Sequence, residues 1–514
     1  MKTKKEMGRT GKVIVNTLAQ LLPEVVSTVS GLVLPRLMLL TFGSALTGLV
    51  SSINQFLAYL RKMEAGLSTA SAVNLYKPLA TKDKQKIREV VSASRYFYWW
   101  VGILFSIGSF VLAAIYPFIV DVGVEGYTWY KVASLVLILA GSAAFSYFCS
   151  SAYQALLIAD QRYYVVSINM TVYGIIVIPL VCLAIKTGNM HVVQLTHLAI
   201  AVIQAITLAI YTKRKYGEMV KPTKDFDKKA LNMRWDVFIN ELGLLLETNA
   251  PVMILTFFIG LSSVSVYTVY NMVFVALQSI IRISRDALRP AFGQAWASGE
   301  TETVKSCYSE FEWLIFVLVA VMYTIAGIMI LPFVRLYTDG VTDINYILPL
   351  FSILFCISGA VRQIQIPASV MVGAAGKFKE VRYCIIISAL SCVVIGVIAG
   401  MTLGISGVMF GMVCGTCIKT IYTTFFINKS VLNRGMKVTI TRFIRMCMVS
   451  IISMLPFITL IHIQPQNYIE WFLCAGGVSV WVLLVAVCDS IIFDKKDMIM
   501  LSKRLLGVVK KTER

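Results

Sequence analysis

Charge is scarce in this 514-residue chain: only 14% of its residues are charged, against about 25% in soluble domains. With 58% apolar residues and a mean hydropathy of +0.77, that shortage excludes an ordinary soluble protein. No polar stretch is long enough for a separate globular domain, so one polytopic membrane domain is expected. Histidine is nearly missing as well. His191, His197 and His462 lie near the expected outer ends of helices, and no His and carboxylate cluster has metal-ligand spacing. A phosphate loop is absent: the nearest string, GAAGKF at 373–378, lacks the GxxxxGK[ST] spacing and the strand before it, so ATP hydrolysis by this chain is not expected. Nucleophilic catalysis finds no constellation either, and the chain reads as a non-enzyme without a cofactor. The 11 cysteines fall in expected spans or, like Cys307, in an expected inner loop, which argues against a disulfide framework. Cys414 and Cys417 form a CxxC inside an apolar helix without His or acidic partners, and read as packing residues.

What is present is a succession of apolar segments of about 20 residues, each long enough to cross a hydrocarbon core of roughly 30 Å. Fourteen are expected, near 13–42, 45–74, 96–120, 131–158, 163–186, 191–212, 236–260, 264–285, 311–336, 345–371, 381–402, 405–428, 446–463 and 469–492. The basic start MKTKKEMGRTGK is followed by no small-residue cleavage pattern, so the first apolar stretch reads as a retained helix. Of 47 Lys and Arg residues, 39 fall on one side of this alternation. Only Lys131, Lys186 and Arg335 fall on the other, while Arg36, Arg61, Lys62, Arg362 and Lys419 lie within span limits. The positive-inside rule then places both termini on the cytoplasmic side of the membrane. The net charge of +20 belongs to that inner face, and nucleic-acid binding loses its motive.

Polar stripes at helical spacing show which helices turn away from lipid. In the second span, Thr47, Ser51, Arg61, Glu64, Ser68 and Ser71 fall within about 80° of Asn54, whereas Leu49, Phe56, Leu60, Met63 and Leu67 lie opposite. The stretch YLRKMEAGLSTA (59–70) thus aims Arg61 and Glu64 at the polar side and leaves Lys62 to the headgroups. The eighth span repeats the pattern, with Tyr267, Thr268, Gln278, Arg282, Arg285 and Arg289 around Asn271. The first collects Glu24 with Thr17, Gln20, Ser27 and Thr28; the seventh collects Asn240, Glu241, Glu247, Thr248 and Pro251. Polarity in spans 1, 2, 7 and 8 implies two six-helix halves followed by two further helices. The expected division is 1–212 for the first lobe, 213–235 for a basic cytoplasmic linker, 236–428 for the second lobe, and 429–514 for two extra helices and a basic tail. A shift of 217 residues superposes Glu24 on Glu241, Gly43 on Gly260 and Asn54 on Asn271, a match no better than chance by itself.

The individual residues leave two readings open. Arg282, Arg285 and Arg289 satisfy the positive-inside rule, and equally the two-point grip of guanidinium on phosphate. Arg362, amid VRQIQIP, lies too deep for easy snorkelling, whereas Arg36 and Lys419, nearer helix ends, are expected to snorkel. Glu24, Glu241, Glu64 and Glu247 are expected to couple to Na+ or H+, or to balance the arginines in ion pairs. Pro23, Pro35, Pro251 and Pro367 are expected to interrupt helices 1, 7 and 10; residues 75–95 read as a basic helix on the inner leaflet; Gly407, Gly411 and Gly415 mark close helix packing.

The segment GSALTGLVSSINQFLAYLRKMEAGLSTASAVNLYKPLATKD, 43–83, resembles the bacterial Wzx-type polysaccharide flippases of the multidrug, oligosaccharidyl-lipid and polysaccharide exporter superfamily. It carries a Gly-x-x-x-x-Gly-Leu opening (Gly43 to Leu49), a Q-F-L run (Gln55 to Leu57), an E-x-G (Glu64 to Gly66) and an L-Y-K-P-L-A close (Leu75 to Ala80). ALLIADQRYYV, 155–165, is similar to a second stretch of that family. The resemblance implies two six-helix lobes around a cavity that opens alternately inward and outward. The implied cargo is an undecaprenyl-diphosphate-linked oligosaccharide moved to the outer leaflet for capsule or exopolysaccharide assembly, with membrane lipids, a glycan polymerase and glycosyltransferases as partners. Arg61, Arg282, Arg285 and Arg362 would then hold diphosphate and sugar. Two alternatives stay open: a cation-coupled drug or metabolite exporter, which needs an acidic cavity, and a lipid II flippase. Fourteen helices look like the lipid II branch, whose several first-helix arginines are here reduced to Arg36 beside Glu24.

Overall fold

A computed structural model describes residues 9–64, 67–120, 126–160, 162–223, 247–297, 301–459, 463–495 and 497–500. All regular structure among them is helical. Among the described residues, twelve helices are long and apolar enough to cross a membrane, and large apolar side chains such as Phe110, Ile398, Ile458 and Leu473 stand exposed along them. In water that exposure would be prohibitive; in a bilayer it is the lipid-facing surface, and the protein is a multi-pass membrane protein.

The expected fourteen segments map onto these helices, several with a break or a different end. Spans 1 and 2 are two helices that meet at a kink at Gly43 (φ 75°, ψ 177°), where their expected bounds part them, and are labelled together as α1 (Arg9–Arg61). Pro23 and Pro35 sit inside α1 without breaking it, contrary to expectation. Span 7 is described only as the short apolar helix α8 (Glu247–Ile259), which holds Pro251 and ends in a π-turn; Asn240 and Glu241 lie outside the described residues. Gly260, at φ 124°, joins α8 to α9 (Leu261–Ala297). Gly43 and Gly260 were one of the three pairs superposed by the 217-residue shift. Both adopt a positive φ at the junction between the first and second helix of their halves, a conformation that favours glycine.

Span 2 ends earlier than expected. After Arg61 a 3-10 turn (Lys62–Glu64) leads to α2 (Leu67–Thr81). The surface helix expected over 75–95 does not exist as one piece: Lys82, at φ 54°, turns the chain, and Asp83 caps α3 (Lys84–Ile119) by accepting from the Lys86 amide. Asp83 supplies a cap where the polar sequence had suggested continuity.

The chain divides into two compact units: residues 1–245 with 260–265, and 246–259 with 266–514. In the first, α1, α2 and α3 pack with α4 (Trp129–Cys149), α5 (Ser151–Ala159), α6 (Tyr163–Ile185) and α7 (Met190–Tyr216). The core places Leu57 and Phe105 beside Tyr147 and Tyr116, whose hydroxyl donates to Ser52 Oγ at 2.8 Å. The second unit holds α8, most of α9, α10 (Thr301–Tyr337), α11 (Pro349–Ile364), α12 (Ile366–Ala375), α13 (Phe378–Leu403), α14 (Ile405–Phe426), α15 (Lys437–Thr459) and α16 (Tyr468–Phe493). Pro367 marks the start of α12, so span 10 is interrupted there as expected.

Helices α13 and α14 approach closely because glycines line their contact. A Cβ on Gly411 would meet the backbone of Gly396, and one on Gly415 the backbone of Ser388, whose hydroxyl already donates to Gly415 O at 2.8 Å. Gly411→Val is therefore expected to cost about 1–3 kcal/mol by overpacking, read as a lower unfolding midpoint of purified protein in detergent. An unchanged midpoint would contradict the close packing.

Candidate functional site

The first unit contains a cavity of about 380 Å³ at the broken end of α1. The helix break decides what reaches it: α1 stops at Arg61, the 3-10 turn carries Glu64 round, and α2 brings Ser68 to the same wall. Lys62 is not among the lining residues. A cation at the C-terminal end of a helix is favoured by the helix dipole, which helps account for Arg61. Its Nε is buried with no hydrogen-bond partner among the described residues, and neither Arg61 nor Glu64 forms an ion pair within 4 Å there. Arg61 as a whole is half-buried, and an arginine inside a membrane protein with a buried, unbonded Nε marks a candidate ligand site.

Opposite stands a wall of hydroxyls and amides. Ser142 and Ser146 of α4, Ser150 at its break and Gln154 of α5 follow one another at spacing four, and all four line the cavity. Ser146 and Ser150 hydroxyls are 3.1 Å apart, and Ser151 donates to Ser146 O at 3.1 Å. Asn169 from α6, donating to Thr207 Oγ1 at 3.0 Å, and Gln204 from α7 complete it. Tyr98 and Tyr147 add a stacked aromatic pair with centroids 6.5 Å apart. This wall had no place in the sequence reading, although the serine and glutamine spacing was visible in the sequence. In charge the cavity is balanced, one arginine against one carboxylate, rather than acidic or strongly cationic.

The other expected residues lie elsewhere. Asn54 donates its amide to Val50 O at 3.0 Å and does not line the cavity. Glu24 is exposed on α1, and Arg36 is half-buried. On α9, in the second unit, Asn271, Gln278 and Arg285 are half-buried and Arg282 is exposed, with Nη2 3.4 Å from Ser279 Oγ. The Arg289 side chain lies outside the described residues. Arg362 is half-buried in the last turn of α11, one residue after Val361.

Lys419 is a correction. Instead of snorkelling, it is buried on α14 and donates to Glu247 Oε2 at 2.6 Å, the carboxylate itself being 2% exposed. The pair joins α14 to α8, and Glu247 thus balances a lysine rather than an arginine.

The second unit also carries an apolar groove of about 760 Å³ between α10, α11 and α15. Ile328, Ile353, Ile357 and Ile451 typify its walls, and its lining along α15 runs from Phe443 to Ile458, about 22 Å of helix. Arg335 and Gln464, at one end of α10 and just beyond α15, are among its few polar lining residues.

Comparison with known proteins places this geometry. A family model described as Polysaccharide biosynthesis protein matches residues 11–296. No significant match is found among curated proteins. Among solved structures the chain is similar to the lipid II flippase MurJ in its inward closed conformation, at TM-score 0.72 and 17% identity, covering 94% of this chain and 99% of that one. It is also similar to an inward-facing multidrug resistance MATE family transporter of the MOP superfamily, at TM-score 0.61 and 15% identity, covering 80% and 96%. At such identities the likeness is one of fold. The match over residues 11–296 spans more than half of the sequence, and the chain belongs to the polysaccharide biosynthesis protein family, with the fold of the MOP-superfamily transporters.

Proposed function

We propose that this protein is a flippase that moves an undecaprenyl-diphosphate-linked oligosaccharide from the inner to the outer leaflet of the bacterial cell membrane by alternating access. The observation that carries the proposal is the first unit's cavity, where Arg61, its Nε unbonded among the described residues, meets a wall of hydroxyls, amides and tyrosine rings. Arginine's fork suits diphosphate, and the hydroxyl and amide wall suits sugar. Taken by itself, the second unit's apolar groove, with about 22 Å of lining along α15, is long enough to take a lipid chain. Both termini then face the cytoplasm, and glycosyltransferases and a polymerase act before and after this step. Glu64 is proposed to balance the charge of Arg61 in the cavity, and coupling to Na+ or H+ is proposed for Glu24.

A cation-coupled drug exporter would want an acidic cavity, and Glu64 is the one carboxylate in this one. A lipid II flippase is favoured by the near-complete coverage of MurJ, yet the first helix offers Glu24 and Arg36 rather than an arginine cluster. Deleting the gene separates the readings. Loss of a surface polysaccharide with lipid-linked precursor accumulating at the inner face is the expected result; unchanged polysaccharide with greater sensitivity to toxic cations, or failure of the peptidoglycan wall alone, would overturn it.

A further inference from the structure

A second cavity, of about 270 Å³, lies in the first unit among α3, the α4–α5 junction and the segment 221–223. Arg88 straps that segment down, donating from Nε to Lys221 O at 3.1 Å and from Nη2 to Pro222 O at 3.0 Å. Ser92 Oγ accepts from the Thr223 amide at 3.0 Å. Arg95 lines the cavity and makes neither an ion pair nor a hydrogen bond among the described residues; its guanidinium lies 5.7 Å from the Tyr153 ring centroid. Ser92, itself 6% exposed, only accepts, so its proton is free for a ligand. The Tyr153 hydroxyl, in a residue 3% exposed, is buried without a hydrogen-bond partner among the described residues.

The rim is aromatic. Trp99 and Phe148 line the cavity and are 51% and 45% exposed, as side chains anchored at a membrane interface are. A guanidinium without a counter-ion, free hydroxyl donors and an aromatic mouth open to lipid together suit a phosphate carried by a lipid. Basic pockets between membrane helices on the inner side take anionic headgroups in this way.

We propose that this cavity binds the phosphate of an anionic lipid headgroup from the inner leaflet, with Arg95 as the principal contact and Ser92 as a donor. A headgroup seated there would tie α3, α5 and the 221–223 strap together. The cavity shares Tyr147 as a wall with the Arg61 cavity, but neither Arg95 nor Ser92 lines that one, so the proposal is tested independently of the cargo.

Cys149 lines the cavity and reports its occupancy. A variant keeping Cys149 as its only cysteine is placed in phosphatidylcholine nanodiscs, with or without phosphatidylglycerol, and the rate of modification by a water-soluble maleimide is measured. Phosphatidylglycerol is expected to slow modification by about fivefold or more, and Arg95→Gln to remove the protection, while Arg95→Lys keeps part of it. Inorganic phosphate added to phosphatidylcholine nanodiscs forms the second arm. Protection by phosphatidylglycerol alone assigns the site to a lipid headgroup; equal protection by inorganic phosphate keeps the phosphate chemistry and overturns the lipid source. Absence of protection in the parent protein, or full protection retained in folded Arg95→Gln, overturns the site, and the parent measurement decides alone if Arg95→Gln does not fold.

Discussion

Arg61→Ala is expected to lower surface polysaccharide export by about ten- to a hundredfold while the protein stays in the membrane at its normal level. The magnitude follows from the bond removed: a hydrogen bond to a charged group contributes about 1.5–3 kcal/mol, and each 1.4 kcal/mol is tenfold. Arg61 reaches the cavity because α1 ends there, and its Nε is buried without a partner among the described residues. Arg61→Lys keeps the charge but loses the planar fork, so it should fall between. Glu64→Gln is the informative companion, because it removes an anion from the same cavity. An anionic cargo is then held no worse, and export should persist. A cation exporter requires the opposite order, with Glu64→Gln inactive and Arg61→Ala tolerated. Immunoblots of surface polysaccharide and of the membrane-inserted protein read both outcomes.

Arg442→Ala is expected to destabilise the protein by about 3–5 kcal/mol, the range for removing one partner from a buried ion pair. Arg442 is 5% exposed, and its Nη1 lies 2.9 Å from Glu312 Oε2 while its Nη2 lies 2.5 Å from Asp497 Oδ2 and 3.5 Å from Asp494 Oδ1. Around it, Arg434 and Thr439 both reach Glu312 at 2.7 Å, and Arg445 holds Asp489 at 2.5 Å and Asp494 at 2.6 Å. One network therefore fastens α15 and the end of α16 to α10. Without Arg442, Glu312 keeps Arg434 but Asp497 loses its close cation, and α16 should loosen first. The unfolding midpoint in detergent checks the size of the effect, and proteolysis after Phe493 checks its place. Arg442→Lys, retaining one charge, should lose less.

The spans were legible because apolar length and the distribution of Lys and Arg are local and cumulative. Arg61 and Glu64 were legible for a related reason: a two-faced helix separates Asn54 and Ser68 from Leu49 and Leu60 by spacing alone. The α4 serines carry a weaker signal, since a serine hydroxyl in a membrane helix commonly turns back to its own backbone, as Ser142 does to Leu139 O at 3.3 Å. Lys419 was not legible, its partner Glu247 being 172 residues away. The same holds for Arg434, Arg442 and Arg445, which satisfy the positive-inside rule and yet are spent on Glu312 and three aspartates. The end of α1 escaped too, because the run through YLRKM has helical composition and only the fold stops it at Arg61.

The most direct test is flipping by the purified protein. Proteoliposomes would carry a short, fluorescently labelled undecaprenyl-diphosphate-linked oligosaccharide, and an impermeant reductant would bleach whatever lies in the outer leaflet. Wild-type vesicles should lose nearly all fluorescence and protein-free vesicles should stop at the outer-leaflet share, whereas Arg61→Ala vesicles should pass that share about ten- to a hundredfold more slowly than wild type. Wild-type vesicles that stop at the same share, with the protein folded and inserted, would contradict the account.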